Sequence, residues 1–234
     1  MAKELPKKTR VAIVGGGVIG CSIAYHLTKI GWDDVILLER KQLTSGTTWH
    51  AAGLIGQLRD SQNMTKLAKY TAELYLGLEE ETGQAIGYKI NGSLSTATHA
   101  GRMEDLARRA DMAKVFGLAV DVLGPDGCKD HYPPLNVDDV IGGIFIPSDG
   151  QADPVGITQA LAKGARMGGA QIFEQTKVEE VLIDDGKAVG VRTDKGDVAA
   201  DIVVLACGMW TREFASRIGV NVPLHACEHF YILT

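Results

Sequence analysis

The sequence has no apolar run approaching the roughly 18 residues that a membrane-spanning helix needs, so it offers nothing to a bilayer. Basic charge is also short. Lys and Arg number 24 against 29 Asp and Glu, a net charge of −5, and a chain of that sign has no basic field with which to hold nucleic acid. Cysteine is sparse and scattered: Cys21, Cys128, Cys207 and Cys227 form neither a CxxC pair nor a Cys/His cluster. That spacing argues against a zinc site or a disulfide framework and suits a reducing compartment, for which we expect the cytoplasm. The opening run, Met1 to Lys8, is polar and lysine-rich, with no apolar stretch of the kind a secretory signal carries. What remains is a chain of 234 residues, 45% hydrophobic, able to bury a substantial core as one large domain or two interleaved ones.

The first pattern to stand out is an apolar, β-branched run from Arg10 to Val14. It ends in Gly15-Gly16-Gly17 and is followed by Val18 to Leu27 with helical spacing. A second buried strand, Val35 to Leu38, then ends at Glu39, about twenty residues beyond Gly20. Strand, glycine turn, helix, strand and acid in this order make a βαβ unit that binds a dinucleotide. Gly15 permits the tight turn, Gly17 lets the backbone approach a pyrophosphate, and Gly20 lets helix and sheet close up. Val18 and Ile19 open the helix whose N-terminus attracts phosphate, and Glu39 can accept hydrogen bonds from ribose hydroxyls. The fingerprint alone leaves NAD and FAD open, since both present the same ADP half.

After Glu39 and Arg40 the chain enters a polar loop, Lys41 to Gly53, that includes Ser45-Gly46-Thr47-Thr48-Trp49-His50-Ala51-Ala52-Gly53. This stretch resembles the sarcosine and dimethylglycine dehydrogenases of the D-amino-acid-oxidase-like flavoproteins. The likeness continues through Leu78 to Gly83, Tyr132 to Val137 and Pro147 to Asp153-Pro154. The resemblance implies FAD as the cofactor. It marks Arg40, Ser45, Gly46, Thr47, Thr48, His50, Ala51, Ala52 and Gly53 as cofactor contacts, with His50 matching the histidine that the family links covalently to the flavin 8α-methyl carbon. It also places Val178 near the adenine and Gly208 near the pyrophosphate.

Further along, Asn63 to Thr82 has helical spacing closed by Gly83, Gly87 to Ile90 and Ser93 to Ala97 look like short strands, and Arg102 to Phe116 is an amphipathic helix followed by a strand at Val120 to Leu123. Met103, Leu106, Met112 and Phe116 are core residues by their spacing. Ile141 to Ile146 reads as a strand. Asp149 and Asp153 could be taken for an acid/base pair, yet Asp153 before Pro154 is explained as the cap of a helix running to Met167. From Gln171 onward the pattern predicts an antiparallel meander, with turns at Asp184-Asp185-Gly186 and Asp194-Lys195-Gly196. Asp201 to Gly208 then returns as a buried parallel strand before a helix over Trp210 to Ile218.

The last run, His225 to Thr234, resembles the family strand that carries an H-x-Y motif beside the flavin. Alternation would put His229 and Tyr231 on one face as catalytic candidates. The run stops without a cap or turn, and we expect the sequence to be part of a longer chain. The expected fold is α/β: a Rossmann-like FAD-binding domain interleaved with a mixed or antiparallel-sheet substrate domain. The expected divisions are a βαβ unit with flavin loop at 1–83, a substrate-domain segment at 84–147, the FAD-domain return with meander at 148–222, and a second substrate-domain segment beginning at 223–234. The resemblance implies oxidation of the C–N bond of sarcosine or dimethylglycine by hydride transfer to FAD. An electron-transfer flavoprotein, or oxygen in the case of an oxidase, is the implied electron acceptor, and tetrahydrofolate enters only where a C-terminal folate module exists. Two other readings remain: a flavin oxidase or dehydrogenase of another small substrate, such as a D-amino acid or glycerol 3-phosphate, and a non-catalytic regulatory relative.

Overall fold

In the computed structural model, which describes residues 4–230, the chain opens with β1 (Lys8–Val14), α1 (Val18–Lys29) and β2 (Val35–Leu38). There follow β3 (Leu54–Ile55), α2 (Gln62–Thr82), β4 (Ser93–Ala97), α3 (Ala100–Val115), β5 (Asp121–Leu123), α4 (Pro125–His131), β6 (Gly142–Ile146) and β7 (Gly150–Gln151). The chain continues through α5 (Pro154–Met167), β8 (Gln171–Phe173), β9 (Val178–Asp184), β10 (Lys187–Thr193), β11 (Gly196–Leu205) and α6 (Thr211–Ser216). Two compact units result, one formed by Met1–Ala51, Leu78–Ala85 and Pro154–Thr234, the other by Ala52–Gly77 and Ile86–Asp153.

The first unit is built on a six-stranded mixed sheet in the order β8-β2-β1-β11-β10-β9. Its centre is parallel. β1 lies between β2 and β11, and the stretches that pair at the centre, Val11–Val14, Val35–Leu38 and Ile202–Leu205, are apolar throughout, as central parallel strands are. β11 serves two partners. Its first residues, Gly196 to Ala199, pair antiparallel with β10, and from Ala199 to Leu205 it runs parallel to β1. On one side of the sheet α1 packs against α5, where small residues allow close approach. A side chain at Gly164 would come within 2.7 Å of the Tyr25 ring, and one at Gly168 within 2.5 Å of Thr28. The Tyr25 hydroxyl donates to Glu81 Oε2 at 2.7 Å and Lys29 pairs with Oε1 at 3.0 Å. Burial works to raise the Glu81 carboxyl, but these two hydrogen bonds and the lysine charge outweigh it and leave the pKa lowered.

The second unit carries a three-stranded antiparallel sheet, β4-β6-β5, with α3 buried against it through Leu106, Ala110 and Ala113. A two-stranded ribbon, β3 with β7, holds the start and end of the unit together in register Leu54↔Gln151 and Ile55↔Gly150.

Four expectations from the sequence need correction. Gly87 to Ile90 is not a strand; only a single bridge, Lys89↔Gln151, forms there, since the ribbon it meets is two residues long. Gln171 to Phe173 is not part of the antiparallel meander but a parallel edge strand on β2, because a chain delivered by a helix packed on the sheet returns in the same direction. The helix expected from Trp210 begins one residue later and ends at Ser216, after a 3-10 turn over Gly208–Trp210. The described part of the final run, residues 225 to 230, forms no strand, having no ladder partner among the described residues.

Candidate functional site

The site is built where β1 meets α1. Gly15 takes φ +114, a conformation that L side chains avoid, and a side chain there would collide with the Ala206 carbonyl at the end of β11. Gly20 complements it from the helix, where a Cβ would run into the Gly15 carbonyl, so that its absence lets α1 settle on the turn. Gly17 precedes the helix without a side-chain cap of its own, and Thr48, 30 positions beyond Val18, supplies one by accepting a hydrogen bond from Val18 N at 3.1 Å.

Glu39 closes the turn from the other side. Its Oε2 accepts from Gly16 N at 2.7 Å and its Oε1 from Lys41 N at 2.8 Å. A carboxylate offers roughly four acceptor positions, so capacity for a ligand's hydroxyls remains. The loop beyond is tied down as well: Thr44, at φ 71, donates its N–H to Gly16 O at 3.0 Å, and Leu43 N donates to Glu174 Oε1 at 2.7 Å.

A cavity of about 680 Å3 opens above this turn, a size suited to a sizeable small-molecule ligand. Gly15, Gly17, Val18, Ile19, Glu39 and Arg40, all cofactor candidates from the sequence, line it, and so do the candidates Ser45, Gly46, Thr47 and Thr48. Val178 and Gly208 join them from β9 and the end of β11. Gly20 lies behind the wall. His50 ends the 3-10 turn Thr48–His50, exposed and edge-on to Trp49 at 3.7 Å, and neither it nor Ala51 lines the cavity. Ala52 and Gly53 belong to the second unit, where Gly53 O accepts from Ala152 N. His229 is exposed and outside the lining, and Tyr231 lies outside the described residues.

Sequence reasoning missed part of the wall. Trp210 lines the cavity beneath the Arg40 guanidinium, 4.4 Å from its ring centroid, and Lys41, Lys177 and Arg217 bring further positive charge. Lys177 and Arg217 have partners in Glu179 and Glu213, whereas Arg40 and Lys41 make no ion pair among the described residues. The pairing of Arg40 with Trp210 joins residues 170 positions apart, and no local pattern announces it.

Two thiols flank the turn. Cys21 Sγ donates to Gly16 O and Cys207 Sγ to Val14 O at 3.5 Å. Burial pushes Cys21 up to about 12 and Cys207 up to about 11, with the Glu39 charge adding to both. Both therefore stay protonated near neutrality and act as weak donors to the turn carbonyls rather than as nucleophiles.

Comparison with known proteins agrees with this construction. The family described as DAO, FAD dependent oxidoreductase, matches residues 10–234. The chain belongs to that family. Its fold is that of a DAO-like FAD oxidoreductase: over 92% of this chain it superposes on L-proline dehydrogenase from P. horikoshii with a TM-score of 0.87 at 30% identity, covering 57% of that protein. Among curated relatives of this DAO-family chain, 4-methylaminobutanoate oxidase (formaldehyde-forming) of Paenarthrobacter nicotinovorans is 45% identical over 97% of the chain. The mitochondrial pyruvate dehydrogenase phosphatase regulatory subunit of Mus musculus is 39% identical over 98%, and the mitochondrial sarcosine dehydrogenase of Homo sapiens 39% identical over 100%. The chain spans only 26% to 28% of the length of these relatives. No described helix is long and apolar enough to cross a membrane.

The donor set fits FAD. The glycine turn lines the cavity with bare backbone, the N-terminus of α1 and two cations without ion-pair partners among the described residues suit a diphosphate, and the Glu39 carboxylate suits ribose hydroxyls.

Proposed function

We propose that this chain is the flavin-holding part of an enzyme that oxidises the C–N bond of a small N-methylated amino acid, sarcosine or dimethylglycine. The observation that carries the reading is the cavity at the end of β1, walled by the glycine turn, Glu39 and the Ser45–Thr48 loop in a chain of this family. The names of two relatives supply the substrate class, since both are named for N-methyl compounds. FAD supplies the hydride acceptor when bound. The residues of the chain do the holding: the turn and the α1 N-terminus take the diphosphate, Glu39 takes the ribose, and Arg40 and Lys41 offset the negative charge. We assign His50 to the covalent flavin link. His229 would position the amine in its unprotonated form, so that the nitrogen lone pair can stabilise the iminium product, and Tyr231 would share its pocket. These three roles rest on the family resemblance. Electrons would pass to an electron-transfer flavoprotein or to oxygen, and tetrahydrofolate would take the one-carbon unit only beside a folate module. The cytoplasm is the proposed compartment, supported by four cysteines that are all free.

The likeness to a regulatory subunit favours one second reading, a flavin-binding regulator without turnover. Anaerobic addition of sarcosine, dimethylglycine, a D-amino acid and glycerol 3-phosphate to the full-length protein separates the readings. Bleaching of the flavin by the N-methyl amino acids supports the proposal, bleaching only by the others replaces the substrate, and no bleaching favours the regulator. Acid denaturation tests His50: colour should stay with the precipitated protein, and His50→Ala should release it to the supernatant.

A further inference from the structure

Of the asparagines in the chain, Asn63, Asn91, Asn136 and Asn221, only Asn91 is followed by glycine; Met64, Val137 and Val222 follow the others. That difference is chemical. The main-chain nitrogen after an asparagine can attack the side-chain amide carbon, and a glycine leaves the approach open where a larger side chain crowds it. Asn91 is exposed, two residues before β4. Asn63 lies in α2, and the Asn136 amide oxygen is occupied in accepting from Asp138 N at 3.1 Å. The nitrogen beside Asn91 is nonetheless held, since Gly92 N donates to Asp149 O at 2.8 Å. Gly92 also takes φ +75, and a Cβ there would run into the Phe145 ring, which stacks on His131 at 3.8 Å. Ser93 Oγ donates to Asp149 Oδ2 at 2.6 Å and Gln57 N to Asp149 Oδ1 at 2.9 Å, and Asp149 is only 3% exposed. All of these residues belong to the second unit.

We propose that Asn91 is a deamidation site gated by the hydrogen bond from Gly92 N to Asp149 O. While the segment is closed, the N–H that must be given up is engaged with the Asp149 carbonyl. Once it opens, Gly92 N loses its proton to hydroxide and bonds to Asn91 Cγ, and the side-chain nitrogen takes a proton from water and leaves as ammonia. A five-membered succinimide ring remains. Water opens this ring at either carbonyl to give aspartate or isoaspartate, so one water is consumed, one ammonia is released and no oxidant or reductant takes part. Isoaspartate carries the main chain through the former side chain, which adds a methylene before β4 and displaces Gly92 N from Asp149 O. The rate follows the open fraction of the segment, and each opening that ends in reaction leaves a permanent mark. The inference stands apart from the substrate reading above.

Full-length protein aged at mildly alkaline pH, both folded and in guanidinium chloride, tests it, with peptide mass spectrometry and isoaspartate labelling as readouts. In denaturant Asn91 should convert at least about tenfold faster than Asn63, Asn136 or Asn221, and folding should slow Asn91 by at least about tenfold. Ser93→Ala removes one tie beside Gly92, so it should quicken the reaction in the folded protein and leave the rate in denaturant unchanged. Asn91→Gln, whose longer side chain closes a larger ring, should suppress the reaction in both. In wild-type protein fractionated by charge, the deamidated form should exchange its Gly92 amide with deuterium faster than the intact form. Equal conversion of the four asparagines in denaturant would overturn the site. Equal rates at Asn91 in the folded and denatured protein, or an unchanged folded rate in Ser93→Ala, would overturn the gate.

Discussion

Glu39 in the first unit and Asp149 in the second perform the same local act, each using a carboxylate to pin a backbone amide of a loop. They differ in what lies on their other side. Glu39 faces a cavity and keeps acceptor positions free for a ligand, whereas Asp149 is almost wholly buried, with a serine hydroxyl on its second oxygen. A carboxylate that fastens a loop is thus a binding residue or a structural one according to its access to open space, and sequence alone does not show which.

Three experiments on full-length protein would break or sharpen that contrast. Asp149→Ala should have the largest effect on folding, about 3 kcal/mol measured by urea unfolding, because Gln57 N–H and Ser93 Oγ lose their buried acceptor. Its flavin content per folded molecule should be unaltered, and a drop there would erase the distinction from Glu39. Glu39→Ala should show the reverse balance. We expect a loss of about 1 kcal/mol in stability but a weakening of FAD binding on the order of tenfold or more, read by flavin release in an apoprotein reconstituted from His50→Ala. The smallest effect near neutral pH concerns Cys21 beside the same turn, whose influence is read only in alkali. Its thiol pKa is raised on folding from 9.0 to about 12, so its contribution is complete below the unfolded value and is lost as pH rises through the folded one. Stability should therefore decline from about pH 9 toward 12, and Cys21→Ala should flatten that part of the curve in a denaturation series.

The parts legible in the sequence are those decided by neighbours in the chain. β2 appears with the bounds its apolar run predicts, and α5 with those set by Pro154 and Gly168, because strand burial and helix ends are local matters. The glycine turn is equally plain. Legibility fails where the deciding partner is remote. Gln171 to Phe173 shows nothing of its parallel pairing with β2, which α5 imposes by delivering the chain to that edge. Trp210, in the turn before α6, lines the cavity in contact with Arg40, and the local spacing of apolar residues is silent about it. Residues 225 to 230 resemble a family strand but lack one to lie beside among the described residues.

β11 has a consequence for the precision of the cofactor cradle. Its first four residues are indexed by the hairpin with β10, and the rest by β1, so the meander turn at Asp194–Gly196 acts as a ruler for everything downstream. A slip of one position in that hairpin would invert the facing of each side chain from Ala200 to Leu205 and move Ala206 and Gly208 by about 3.3 Å along the sheet. The carbonyl that now fills the space beside Gly15 would no longer meet it. A surface turn that is not itself part of the cavity wall therefore calibrates how closely two backbones approach at its floor.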